Sequence, residues 1–244
     1  MFRKLTLLLC FSWLTSSAQD TQFLPEIDAH LKLSPSLRTY LQAKDDREGG
    51  DPEQFTFGPS LQLYRRPLVK LQHMTLFDLD DAKTRVLVLE SGYRIITAPD
   101  TSPENRAIEA VTFNLPIGAG FLASDRNRAD LDWQNGNFTW RYRNKLTMER
   151  TVSIRSYHFI PYLAAEPFYV SNYSKWSTTD LYAGGLLPVG KHVQFDLYYE
   201  HENDTRKKPN RQNNYLGLTL RLYFSIKSDS RSPAQIPHAD SHSR

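Results

Sequence analysis

The clearest pattern in this chain is a strict two-residue alternation near its C-terminal end. The apolar positions are Leu216, Leu218, Leu220, Leu222 and Phe224, and they alternate with Gly217, Thr219, Arg221 and Tyr223. Successive side chains of a β-strand point to opposite faces, so this period of two predicts a strand. One face is purely apolar while the other carries an ionised arginine. The strand is therefore expected to separate an apolar phase from a polar one.

Similar alternation recurs along most of the chain, although Asn144 interrupts one of the apolar rows. Strands are predicted over 23–33, 37–44, 55–64, 85–96, 108–115, 120–128, 138–148, 158–169, 179–187, 193–199 and 216–224. Residues 68–76 are either a further strand or part of a long turn. Counting them gives about twelve strands, within a range of 10 to 12.

No run of eighteen apolar residues follows residue 18, which excludes a membrane-spanning helix by sequence. A barrel spans with strands of which only alternate residues face lipid, so a mean hydropathy of −0.53 does not argue against one. We predict an all-β fold: a single antiparallel, transmembrane, up-and-down β-barrel. The rival fold is a soluble β-barrel or sandwich of lipocalin type in the periplasm, which would hold a ligand in an apolar interior.

Connections in the second half alternate in length. The short ones are 116–118, 151–153 and 188–190, and the long ones lie near 130–132, 171–177 and 203–212. Outer-membrane barrels have short periplasmic turns and longer outer loops. We therefore expect the short set to face the periplasm.

The two ends of the chain are unlike its middle. Arg3 and Lys4 precede the mostly apolar stretch 5–14 and the small residues 15–18, which is typical of a signal peptide cleaved after Ala18. Residues 19–224 are then the barrel, and 225–244 are a polar tail that we expect to be disordered. The single cysteine, Cys10, lies in the signal segment, so the mature chain is expected to contain no disulfide.

The charge of the mature chain is nearly balanced. Removing Arg3 and Lys4 from the 30 basic residues leaves 28 beside 27 acidic ones. A balanced charge lacks the basic footprint of nucleic-acid binding, and we expect no nucleic-acid partner. The partners expected of such a barrel are outer-membrane lipid, the barrel-assembly and periplasmic chaperone machinery, and small solutes.

If the apolar faces meet lipid, a ladder of polar side chains points into the lumen. Its predicted members are Arg126, Arg128, Arg141, Arg143, Lys145, Glu149, Tyr162, Glu166, Glu200 and Glu202. Like charges on neighbouring strands repel, so Glu149 and Glu166 are expected to interleave with the cations. Either the ladder is a constriction that sorts solutes by charge, or it is a salt-bridged plug that fills a narrow lumen. In the first case, reversing Arg141 and Arg143 to Glu is expected to reverse the ion preference.

The ordered motifs resemble a known family. They are Arg126-Asn127-Arg128, then 141–146 (Arg-Tyr-Arg-Asn-Lys-Leu), then Pro161-Tyr162 with Glu166, and a last strand that ends on an aromatic residue. In this order they resemble the domain of unknown function 2490 family of bacterial barrel proteins, over about 23–224. The resemblance implies an outer-membrane barrel of a Gram-negative organism, and it supplies no substrate, cofactor or catalytic residue. The tail after Phe224 departs from the usual pattern.

The sequence gives weaker support for hydrolysis or calcium binding. His158 with Ser153 or Ser156 is the one Ser–His pair that would serve an outer-membrane hydrolase, but no nucleophile elbow accompanies it. Two aspartate groups offer oxygen ligands without completing a calcium loop: Asp78, Asp80 and Asp81, and Asp125, Asp130 and Asp132. We predict no catalytic residue, no cofactor and no metal.

Aromatic residues gather near predicted strand ends, as in the interfacial girdles of membrane barrels. They are Trp133, Phe138, Trp140, Phe168, Tyr169, Tyr173, Trp176, Tyr198, Tyr199, Tyr223 and Phe224. The alternative is that they rim the core of a soluble sandwich.

Overall fold

The computed structural model describes residues 21–48, 51–64, 78–117, 119–155, 157–206 and 208–226. These residues form twelve strands: β1 (Thr21–Ser34), β2 (Leu37–Glu48), β3 (Asp51–Tyr64), β4 (Leu87–Thr97), β5 (Glu104–Ile117), β6 (Phe121–Gln134), β7 (Asn137–Arg150), β8 (Val152–Ile154), β9 (Tyr157–Val170), β10 (Lys175–Val189), β11 (Val193–Asp204) and β12 (Arg211–Ser225). Short 3-10 turns cover Asp81–Thr84 and Ser171–Tyr173. Each predicted strand in the described ranges is present, and most are longer than predicted.

Eleven of these strands close into one barrel. β1 to β7 pair with their neighbours in chain order, β7 pairs with β9, and β9 to β12 complete the circle back to β1. The short β8 lies outside the barrel and pairs only with β9, in the register Val152↔Phe159. The all-β up-and-down barrel is confirmed, with eleven strands in the wall and one beside it.

The barrel closes with one parallel pair, which the sequence pattern did not indicate. β1 and β12 run side by side, with Ile27 opposite Leu220 and Ala29 opposite Leu222. In a meander with an odd number of strands, the first and last strands point the same way, so their pairing must be parallel. Bacterial single-chain outer-membrane barrels have an even number of strands, and the eleven strands here depart from that pattern.

The connections define two ends of the barrel. One end, which we call the plug end, carries 35–36, 65–86, 118–120, 151–156 and 190–192. The opposite end, which we call the far end, carries 49–50, 98–103, 135–136, 171–174 and 205–210. The 22-residue connection 65–86 lies at the plug end, among the turns predicted to be short and periplasmic. The contrast in loop length was predicted for the second half of the chain only, and this connection of the first half does not follow it.

The prediction of a long loop near 130–132 is wrong. Asp130 and Asp132 lie inside β6, and the chain reverses at Asn135-Gly136, whose φ angles of 53° and 77° suit a tight two-residue hairpin. The aspartates look like loop residues by composition, but they occupy inward positions where arginines pair with them. Within the predicted turn 151–153, β8 forms a short hairpin with β9.

The wall of the barrel is polar inside and apolar outside. Inward side chains such as Glu166, Asp130 and Gln194 are at most 2% exposed, whereas outward Leu146 and Leu163 are 54% and 66% exposed. This is the reverse of a soluble barrel, whose apolar side chains fill the interior. Within the described ranges, no helix has the length and apolarity that a membrane crossing requires.

One group of polar residues interrupts the outer apolar surface at mid-height on β4 to β7. Asn144 donates to Asp125 over 2.6 Å and Ser91 donates to Glu109 over 2.7 Å, while Tyr142 donates to Asn127. These outward polar groups thus form hydrogen bonds with one another across neighbouring strands. Glu109 in this group is an acidic residue that faces away from the lumen.

Three of the predicted segments fall outside the described residues. These are the signal segment, residues 68–76, and 227–244 of the predicted tail. Ser225, the first residue of that predicted tail, is the last residue of β12. Its neighbour Ile226 donates its backbone N–H to Lys32 O over 3.1 Å.

Candidate functional site

The lumen holds a cavity of about 490 Å³ to which all eleven barrel strands contribute side chains. Eight of the ten predicted ladder residues line it: Arg126, Arg128, Arg143, Lys145, Glu149, Tyr162, Glu166 and Glu200. Arg141 and Glu202, the other two, bond to inward residues of neighbouring strands. Alternation along each strand places these groups, because every second residue points inward.

The basic residues of β6 and β7 lie directly opposite one another. Arg128 is opposite Arg143, and Arg126 is opposite Lys145. Asp130, which is 0% exposed, lies among them: its carboxylate is 2.5 Å from Arg128 Nε and 3.4 Å from Arg141 Nη2. A buried acid shared by several arginines offsets the repulsion that the facing cations would otherwise have.

Glu166 on β9 neutralises the other side of this basic group. Arg143 Nη2 lies 2.7 Å from its carboxylate and Lys145 Nζ lies 3.6 Å away, while the Tyr182 hydroxyl donates to it over 3.1 Å. Arg126 instead pairs with Glu90 of β4 at 3.1 Å. Among the acids expected to interleave with the ladder, Glu166 does so.

Glu149 has a different partner. It bonds Lys83 of the connection between β3 and β4 at 2.5 Å, and the same Lys83 Nζ lies 2.5 Å from Asp78. The expected pairing of Glu149 with the basic ladder is therefore wrong. A residue outside the strands supplies the cation, and no pattern within β7 reveals it.

Residues 78–86, which we call the plug segment, are fastened to the barrel wall. Asp80 pairs with Arg38 at 2.6 Å, Asp81 pairs with Lys32 at 2.5 Å, and Gln194 donates to Asp78 over 2.9 Å. These bonds reach β1, β2 and β11. Together with the Lys83–Glu149 pair, they hold the segment across the lumen at the plug end.

The ion pairs shift the pKa values of two residues in the plug segment. Burial alone would raise the pKa of the Asp80 carboxyl, but the Arg38 guanidinium outweighs burial and holds that pKa well below its usual range. Burial would likewise lower the pKa of the Lys83 ammonium, and the Asp78 and Glu149 carboxylates instead raise it. Both residues therefore keep their charges at neutral pH.

A second group of acids lies on β10 and β11, and we call Asp180, Glu200 and Glu202 the acidic wall. Asp180 is directly opposite Glu202, and Tyr182 is directly opposite Glu200. Asp180 is 3% exposed and was not among the predicted ladder residues. Its inward position follows from the alternation of Thr178, Asp180 and Tyr182, so that pattern could have revealed it.

The aspartates considered for calcium are held by hydrogen bonds or ion pairs instead. Asp80 and Asp81 pair with Arg38 and Lys32, Asp130 pairs with arginines, and Asp125 accepts from Asn144 on the outer surface. In the described part of the chain, no group of three His, Cys, Asp or Glu residues is placed to hold a metal ion.

The Ser–His pair considered for hydrolysis lies in the β8–β9 hairpin. Ser153 Oγ is 3.0 Å from His158 Nδ1, while Ser156 lies outside the described residues. β8 lies outside the barrel wall, and neither Ser153 nor His158 lines the lumen cavity. The pair is a short cross-strand contact on an exposed hairpin.

The predicted aromatic groups divide between the two faces. On the outside at the far end, Trp133 packs on Phe138 at 5.2 Å and Trp140 stacks on Tyr169 at 5.4 Å, measured between ring centroids, with Trp176 edge-on to Tyr169. Phe168, by contrast, faces the lumen under the Arg143 guanidinium, which is 4.7 Å from its ring centre.

Comparison with known proteins identifies a family without a described activity. No curated protein matches the sequence. Residues 26–213 match the family described as "Protein of unknown function (DUF2490)". This match covers β2 to β11 completely and most of β1, which includes every strand that carries the ladder and the acidic wall. The chain therefore belongs to the DUF2490 family.

Proposed function

We propose that this protein is an outer-membrane β-barrel whose narrow, charged lumen takes up small polar solutes. The observation that carries the proposal is the inverted polarity of a closed barrel, with ion pairs inside and exposed leucine, isoleucine and phenylalanine side chains outside. A large exposed apolar surface marks a region that contacts lipid or another protein. An apolar belt around a polar lumen is the arrangement of membrane barrels.

The dimensions of the wall support this proposal. The barrel strands are 11 to 15 residues long, and a tilted strand needs about 9–11 residues to cross the hydrocarbon core. Each strand can thus span the apolar region and extend beyond it. The outer tryptophans and tyrosines at the far end have the amphipathic rings that favour the headgroup layer.

The lumen supports a solute site or narrow channel better than a wide pore. Its cavity of about 490 Å³ is the size of a small-molecule pocket. The plug segment crosses one end, so solutes reach the cavity from the far end unless the segment moves. The delivery of such a barrel would require periplasmic chaperones and the barrel-assembly machinery.

Cell fractionation of the tagged, full-length protein tests the location. We expect it in the outer membrane, with faster gel mobility before boiling than after, because closed barrels resist detergent until heated. Recovery as a soluble periplasmic protein would contradict the proposal and favour the lipocalin-type ligand-binding alternative.

Planar-bilayer recording then tests the lumen. We expect small unitary conductance from the wild type, and larger conductance when the connection 65–86 is replaced by a short Gly-Ser linker. A replacement of the outer loop 98–103 by a linker of the same composition is the control, because that loop lies at the far end. Equal conductance in all three proteins would contradict a plugged lumen.

A further inference from the structure

Ion pairing leaves an excess of unpaired acid on one side of the lumen. The basic ladder is neutralised within the described residues, where Asp130, Asp132, Glu90 and Glu166 hold its cations. In the acidic wall, by contrast, neither Asp180 nor Glu200 has a lysine, arginine or histidine nitrogen within 4.0 Å in the part of the chain described. Glu202 accepts a hydrogen bond from Asn213 over 2.6 Å.

Asp180 is the most deeply buried member of this wall. Its carboxylate Oδ1 has no hydrogen-bond partner, and Oδ2 lies 3.3 Å from the Tyr182 hydroxyl, whose one hydrogen it shares with Glu166. The Asp180 side chain nevertheless lines the lumen cavity, the space that a ligand would occupy. A buried carboxylate without a partner is costly, and a cation in that space would relieve the cost.

The neighbours of Asp180 make the site more acidic. Across the strands, Asp180 lies between Glu166 on β9 and Glu202 on β11. Glu200 lies one inward position further along β11, opposite Tyr182. Glu166 has its own cations, so the acids of this group without an ion pair in the described part of the chain are Asp180, Glu200 and Glu202.

The surrounding side chains suit an organic ammonium group better than a metal ion. The described acids do not converge into a metal-binding group, whereas Tyr182 and Tyr198 place aromatic rings beside them with centroids 5.9 Å apart. Carboxylates combined with tyrosine faces recognise alkylammonium ions through charge and cation–π attraction. Such ions have several N–H donors that can reach separate acids.

Lys145 shows that this surface accepts an alkylammonium. Its Nζ lies 3.5 Å from the centre of the Tyr182 ring and 3.6 Å from Glu166 Oε2. This cation is attached to the chain and serves Glu166, on the β9 side of Tyr182. On the β11 side, Glu200 interacts electrostatically with Lys44 and Lys145, but neither lysine nitrogen lies within 4.0 Å of its carboxylate.

We propose that the acidic wall is a subsite for the ammonium group of a small organic amine. The inference deepens the proposed function, on which it rests, by naming the class of solute that the lumen takes. The amine would place its ammonium between Asp180 and Glu200 beside the Tyr182 ring, and its remaining atoms in the cavity.

Calorimetric titration of the folded protein in non-ionic detergent at pH 7 tests the subsite. The probes are 1,4-diaminobutane, 1,4-butanediol and succinate, which have similar length and are cationic, neutral and anionic. We expect the diamine to bind at least tenfold more tightly than the diol or succinate, because it alone supplies charge-assisted N–H donors to the acids.

The variants Asp180→Asn and Glu200→Gln should each weaken diamine binding tenfold or more. Glu109→Gln makes the same charge change on the outer surface and should leave binding within twofold of wild type. Heat-dependent gel mobility shows whether each variant is folded. If Asp180→Asn does not fold, the test of the subsite rests on Glu200→Gln and on the comparison of the three probes with the wild-type protein.

Equal binding of the diamine and the diol by wild type would overturn the subsite, as would wild-type affinity in the folded Asp180 or Glu200 variant. A failure of the proposed function is distinguishable, because it would show as soluble recovery in the fractionation experiment. Binding in detergent does not depend on where the protein resides.

Discussion

Tyr198 on β11 packs its ring directly against Gly217 on β12, its register partner in the barrel wall. A Cβ atom placed on Gly217 would lie 2.0 Å from Tyr198 Cζ. Gly184, the partner of Tyr198 on β10, is almost as close, since its Cβ would lie 2.7 Å from Tyr198 Cβ. Two glycines on neighbouring strands thus make room for one aromatic ring beside the acidic wall.

Substitution of Gly217→Ala should destabilise the barrel, because the added methyl group overlaps the Tyr198 ring. We expect a loss of about 1–3 kcal/mol in the free energy of unfolding, the usual cost of overpacking. Urea titration in lipid vesicles measures it. Tyr198→Ala in the same chain should remove most of the penalty, and additive losses in the double variant would contradict the contact.

A charge on the outer apolar face should be costly in a bilayer. Leu197, which is 49% exposed at mid-height on β11, is the test position. Leu197→Lys should lower the free energy of unfolding in vesicles by about 2–4 kcal/mol, as expected near the bilayer midplane.

The control for this position is Asn203→Lys, near the far end of the same strand, which should cost about 0–1 kcal/mol. Similar losses at both depths would argue against lipid contact at Leu197.

Removal of the plug cation should release the plug segment. Lys83→Met leaves the Asp78 and Glu149 side chains, which are 1% and 4% exposed, without their shared partner. Breaking a buried ion pair in this way costs about 3–5 kcal/mol. We expect faster tryptic cleavage after Arg85 and larger conductance.

Lys191→Met is the matched control for the plug, because Lys191 is an exposed lysine in a turn at the same end. If the Lys83 and Lys191 variants have the same cleavage rate and the same conductance, the ion pair does not hold the plug segment.

Acid should weaken the same end of the barrel through Asp80. The pKa of this carboxyl is lowered in the folded protein, so its stabilising contribution is complete above the unfolded pKa of about 3.9 and declines as the pH falls towards the folded value. The difference in unfolding free energy between wild type and Asp80→Asn should be constant from pH 7 to 5 and smaller at pH 3. A difference that grows as the pH falls would have the wrong sign.

The effect of the basic ladder on ion preference stays a prediction. In the structure, Arg143 pairs with Glu166 and Arg141 lies near Asp130 and Asp132. Reversing these arginines to Glu would therefore unpair several buried acids as well as change the lumen charge. The unpaired acids of β10 and β11 give a more direct expectation, which is a preference for cations.

The sequence by itself determined the strands and the side of the wall that each residue faces. Alternation with a period of two is a local property, since each residue's direction follows from its neighbours along the strand. The apolar and polar faces of 216–224 therefore follow from the order of the amino acids alone. The same alternation predicted a barrel but left a soluble sandwich as the rival fold, because both bury one apolar face of each strand.

Only the tertiary structure decided the partners across the lumen and the way the barrel closes. Glu149 meets Lys83, which is 66 positions away in the chain, and Asp180 meets no cation among the described residues. Such pairings depend on register and strand number, which hydrogen bonding between distant strands sets around the whole circle. The same count of eleven placed β1 parallel to β12. A local pattern specifies faces, whereas contacts between remote residues require the closed three-dimensional wall.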